Sequence, residues 1–140
     1  MRRIRNRAPL LVIIVLVVIA ALLSACGSAR TARQELPSFV YTSAASLEGY
    51  RVAVAMPELL EVLPCYCGCR EPAGHRSLKD CFLKPEGGFD EHASSCDLCV
   101  KEAIDAATWH KQGRSPREIR ALIDEKYQEF GKPTDTPPPH

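Results

Sequence analysis

Six of the chain's seven cysteines lie between Cys65 and Cys99, and two of its four histidines fall among them. The run Pro64-Cys65-Tyr66-Cys67-Gly68-Cys69 is followed by His75, Cys81 and His92, and the segment closes with Cys96-Asp97-Leu98-Cys99. Neighbouring cysteines in Cys-X-Cys are poor disulfide partners, because their Cβ atoms rarely meet the required geometry without strain. They are good co-ligands, since one ion accepts thiolates from both. Cys96 and Cys99 stand three apart, on one face of an expected first helical turn. The unpaired N–H groups and positive end of such a helix favour the thiolate form. Thiolates with imidazoles between them are a soft donor set, suited to Cu(I) or Zn(II) far better than to Mg(II) or Ca(II). The candidate ligands are therefore Cys65, Cys67, Cys69, His75, Cys81, His92, Cys96 and Cys99, and the candidate ion is copper or zinc.

Two other readings of the same sulfurs stand beside this one. Six cysteines are an even number, so three structural disulfides would make the domain a stapled interaction module without chemistry. Alternatively, Cys96-X-X-Cys99 at a helix start suits a thiol–disulfide oxidoreductase, with Cys96, nearest the helix N-terminus, as nucleophile. No acid–base constellation for general catalysis stands out, and no catalytic residue is assigned. Arg117, Arg120 and Lys126 alternate with Glu118, Asp124 and Glu125 as on a solvated helix face. Tyr66 is expected to pack, and His110 to sit as a solvated charge or partial cap late in a helix.

These residues need outside help to hold a geometry. Residues 64–95 contain Gly68, Pro72, Gly74, Pro85, Gly87 and Gly88, and so read as an irregular loop. The elements that must position it lie on either side. Before it, Ser46 is a candidate cap for a helix carrying Leu47, Tyr50 and Val54; Met56-Pro57 interrupts, and Pro57 suits the first position of a short helix to Leu63. After it, a helix from about Cys96 to Gln112 aligns Val100, Ala103, Ile104 and Ala107, with Gly113 as a left-handed stop. Ser115-Pro116-Arg117-Glu118 combines an N-cap serine, a first-turn proline and a capping-box glutamate. Ile119, Leu122, Ile123, Tyr127 and Phe130 then follow at helical spacing as a core stripe. The expected fold is all-α: a small helical domain over residues 45–131, with a C-terminal helical hairpin and a Cys-rich irregular loop. The tail, 132–140, holds four prolines and is expected to be disordered or extended.

The 140 residues carry a net charge of +1, too even a balance for a nucleic-acid binder acting through bulk charge. That average hides an uneven start. Residues 1–25 hold four arginines, no acid and an apolar run from Leu10 to Leu23; without them the net charge is −3. The run is shorter than the ~20 residues that span a bilayer comfortably. It ends in Leu23-Ser24-Ala25-Cys26, which resembles the lipobox of bacterial lipoproteins. The resemblance implies a lipoprotein signal peptide (1–25), an acylated Cys26 bearing palmitate-type chains, and a flexible tether (26–44). The domain would then face outside the cytoplasm, lipid-anchored at the cell membrane. An uncleaved signal anchor would leave it on the same side. Its expected partners are the membrane, through Cys26, and a metal-donor or metal-acceptor protein.

The hexapeptide at 64–69, with Gly74-His75, Asp80-Cys81-Phe82, His92, Cys96-X-X-Cys99 and Pro133-Thr134-X-Thr136-Pro137, resembles the PCYCGC-motif lipoproteins. These are bacterial surface proteins with no established activity, and the resemblance covers about residues 45–138. A second likeness joins residues 96–130 to the helical-hairpin thiol oxidoreductases of cytochrome c maturation. This chain lacks their leucine-arginine before the first cysteine and adds four other cysteines, so that likeness implies the hairpin more than the activity.

Overall fold

The structure, a computed structural model, describes residues 35–68 and 73–139. The expected signal peptide, Cys26, the tether as far as residue 34, and Cys69 lie outside the described residues. A compact unit begins at Leu36. Among the described residues it holds four α-helices and no β-strand beyond one isolated bridge, Leu83 to Phe89. None of these helices is long and apolar enough to cross a membrane.

Helix α1 spans Ala44–Ala55, with Ser43 rather than Ser46 at its N-cap: the Ser43 hydroxyl accepts the Ser46 N–H at 2.9 Å. Met56 closes α1 by donating to Val52 O, and Pro57 opens α2, Pro57–Glu61, at the position where a missing N–H is harmless. Helix α3, Asp97–Lys111, starts from Cys96 as N-cap and ends at Gly113, whose φ of +84° is the expected left-handed stop. Helix α4, Pro116–Tyr127, carries the full capping box between Ser115 and Glu118. α3 and α4 form the hairpin, and α1 packs along the other side of α3. Tyr50, Leu60, Leu63, Leu78, Phe82, Ile119 and Ile123 fill the core between them.

Three expectations are corrected. The tether ends earlier than residue 44: Ser38–Thr42 forms a 3-10 turn, Val40 is fully buried, and the Thr42 hydroxyl donates to Ser94 O at 3.0 Å. Burial of a valine side chain contributes about 1.5–3 kcal/mol, enough to hold a short turn that lacks helical periodicity. Phe130 is 66% exposed, so it does not belong to the core stripe. Phe130 follows the end of α4, where the periodicity that would have turned it inward has stopped. Finally, of the two forms expected for the tail, it takes the extended one and not the disordered one through residue 139: it runs without helix, and Thr134 and Thr136 are buried. Four prolines disfavour helix and leave the chain extended, and where that stretch is β-like, residues two apart such as Thr134 and Thr136 face the same side.

Candidate metal centre

The sulfurs reach the centre from three stretches of chain. Cys96 and Cys99 come from the N-cap and first turn of α3, Cys81 from a 3-10 turn at Lys79–Cys81, and Cys65 and Cys67 from the loop after α2. Gly68, at φ +79°, supplies the left-handed residue that turns the chain directly after Cys67. A hairpin-like turn links Cys81 to His92: Lys84 N–H donates to Gly88 O and Asp90 N–H to Phe82 O. Tyr50 of α1 anchors it, donating its hydroxyl to Asp90 O at 2.6 Å and meeting the Phe82 and Phe89 rings edge-on. Asp90 in turn accepts the His92 N–H at 2.8 Å.

The side chains so positioned converge. Cys99 Sγ lies 3.5 Å from Cys65 Sγ, 3.4 Å from Cys67 Sγ and 3.3 Å from Cys96 Sγ. Those separations are far longer than the ~2.05 Å of a disulfide, so they are thiol contacts. Cys67 Sγ lies 3.5 Å from His92 Nε2, and the His75 and His92 rings meet edge-on with centroids 5.0 Å apart. Three overlapping sets have ligand atoms mutually within 4.8 Å: Cys65, Cys67, Cys81 and Cys99; Cys67, His92, Cys96 and Cys99; His75, Cys81 and His92. Seven of the eight candidate ligands are thus brought together, and the eighth, Cys69, lies outside the described residues. A set of this kind could hold a soft metal ion.

The electrostatics differ from expectation in one respect. The start of α3 was expected to lower the Cys96 and Cys99 thiols, yet both are raised. For Cys96 the main cause is the Cys67 thiol. For Cys99 the Cys65 sulfur acts downward, but Cys67, Cys96 and burial together outweigh it. A helix end offers only part of a positive charge, whereas several thiolates in one dry volume repel one another strongly. The full thiolate set therefore requires a cation. His75, 8% exposed, is shifted downward, first by burial and then by His92, which favours the neutral, ligating form of its imidazole. Its Nδ1 has no hydrogen-bond partner among the described residues.

A family model described as a protein of unknown function with PCYCGC motif matches residues 28–139. The chain belongs to that PCYCGC family. No curated protein and no solved structure matches it. In this member the motif's backbone is held by Glu102, which the sequence did not single out, and by Thr134, which it offered only as part of the family's closing run. Glu102, fully buried on α3, accepts the Tyr66 N–H at 2.9 Å. Burial above all pushes its carboxyl up to about 8, with the Cys65 thiol and the Tyr66 N–H acting in the opposite direction. Thr134 grips Cys65 from both sides: its hydroxyl accepts the Cys65 N–H at 2.9 Å, and its own N–H donates to Cys65 O at 2.9 Å. The Thr136 hydroxyl donates to Arg76 O at 2.6 Å, so Thr134 must be the donor in the 2.9 Å contact between the two hydroxyls. One directed chain of hydrogen bonds thereby ties the loop of Cys65 to the loop of His75.

The helix face read as solvated also has work inside the fold. Arg120 donates to Val62 O and Thr136 O, each at 3.2 Å, and pairs with Asp124. Asp124 accepts the Tyr66 hydroxyl at 2.7 Å, so Tyr66 packs as expected and bonds as well. On the outer side of the hairpin, Lys126 and Tyr127 converge on Asp105, and Lys126 also lies over the Trp109 ring.

Proposed function

We propose that this chain is a membrane-anchored, extracytoplasmic lipoprotein that binds a soft metal ion, copper or zinc, through its Cys/His cluster. The observation that carries the metal reading is the four-membered set of Cys67, His92, Cys96 and Cys99, overlapping a second set of four thiols. A closed set of four such ligands suits tetrahedral Zn(II), and its thiol-rich half suits Cu(I) equally. A polar cleft of about 650 Å³, lined by His75, His92, Lys84, Asp90 and Glu91, opens beside the imidazoles and gives an ion or a metal-exchanging protein a route in. The anchor rests on Arg2 to Cys26 of the sequence alone. Thiol exchange loses support, because the proposed nucleophile Cys96 is shifted toward the unreactive protonated form.

Purification of the reduced protein without chelator, followed by elemental analysis and thiol titration, tests the reading. Zinc or copper at about one or more equivalents per chain, with thiols that become reactive only after chelation, is the expected result. Absence of both metal and titratable thiol would establish the disulfide-stapled module instead. For the anchor, membrane association should be lost in Cys26→Ser.

A further inference from the structure

The two four-membered ligand sets overlap. They share Cys67 and Cys99 and differ in their remaining members, Cys65 and Cys81 on one side, His92 and Cys96 on the other. We infer that the cluster is a dinuclear centre, holding two soft ions bridged by the Cys67 and Cys99 thiolates. The inference rests on the metal-binding reading above and adds the number of ions and the role of each sulfur.

The geometry leads there. Two tetrahedra that share an edge need a sulfur–sulfur edge of ~3.8 Å for metal–sulfur bonds of ~2.3 Å. The Cys67 to Cys99 separation is 3.4 Å, close to that edge before any ion draws the sulfurs into place. With this edge and bonds of ~2.3 Å, two ions on opposite sides of it lie about 3 Å apart. Cys99 has Cys65 of one set at 3.5 Å and Cys96 of the other at 3.3 Å, as a bridging ligand requires. A single tetrahedral ion takes four ligands, so one ion cannot be held by all six members of the two sets. The third set needs no ion of its own, since Cys81 and His92 already belong to the other two. It places His75 beside both terminal ligands, at the cleft.

The reduced full chain, anaerobic and metal-free, is titrated with Co(II) and separately with Zn(II), and the loaded protein is examined by X-ray absorption. The expected endpoint is about two ions per chain, with a metal–metal scatterer near 3 Å and loss of the Co(II) paramagnetic signal on adding the second equivalent through thiolate coupling. Cys65→Ser and Cys96→Ser should each lower the endpoint to about one. An endpoint of one ion in the wild type overturns the dinuclear inference and leaves metal binding standing. Two ions without the close scatterer overturn the bridging assignment. No binding overturns both readings.

Discussion

Replacement of Thr134 by valine isolates the device that holds Cys65 in place. The two side chains have nearly the same shape, so packing survives while the hydroxyl disappears. Thr134 is 3% exposed and Cys65 fully buried, and solvent therefore has little access to the groups left behind. Two polar groups lose their partner: the Cys65 N–H, which donated to Thr134 Oγ1 at 2.9 Å, and the Thr136 oxygen, which accepted from it at 2.9 Å. Stranding a buried donor costs about 1–3 kcal/mol, and an oxygen that still donates to Arg76 O loses less. The expected destabilisation is about 2–3 kcal/mol, with a fall in melting temperature of roughly 10 °C or more for a domain of this size. Urea unfolding, with metal content held fixed, measures it as a lower midpoint at unchanged slope. Thr134→Ser keeps the hydroxyl and should cost under about 1 kcal/mol. A valine variant within about 0.5 kcal/mol of wild type, or a serine variant as damaged as the valine one, would refute the hydroxyl chain as a structural link.

Two further substitutions probe the shell around the sulfurs. Glu102→Gln keeps an acceptor for Tyr66 N–H and removes the titration. The carboxyl is raised from 4.5 to about 8 in the folded chain, so its contribution is fully present below the unfolded value and is lost as pH rises through the folded one; wild type should lose roughly 5 kcal/mol of metal-free stability across that interval relative to the variant. Denaturation curves between pH 4.5 and 8.5 check this, and parallel pH profiles for the two proteins would contradict it. Arg120→Ala removes the donor to Val62 O and Thr136 O and the partner of Asp124; a loss of about 1.5–3 kcal/mol is expected by thermal unfolding, against near zero for an exposed arginine such as Arg117.

Local rules carried the helices well, since their signals are contained within a few residues. The capping box at Ser115 and Glu118, the stop at Gly113 and the break at Met56-Pro57 all operate over a single turn of chain, and each appears in the fold. The sulfur cluster was foreseeable from residue type, because several soft ligands in a loop too irregular to order itself leave few ways to reach a stable arrangement. What escaped was whatever depends on segments remote in sequence. Thr134 lies 69 residues from Cys65, and nothing near it announces a partner; the alternation of Thr134 and Thr136 in an extended, proline-flanked stretch is only visible as an inward-facing pair once a groove is known to receive it. Glu102 did leave a trace. It stands one turn beyond Cys99 on the buried face shared with Ala103 and Ala106, where a carboxylate is expensive unless something binds it. That something is a backbone N–H of the cysteine motif itself. A charged residue in an otherwise apolar helical row beside candidate ligands thus points to the loop it must hold, and the same argument explains the raised carboxyl. Glu102 sits there because the irregular segment, having no ladder of its own, must take its hydrogen bonds from the helices and the tail.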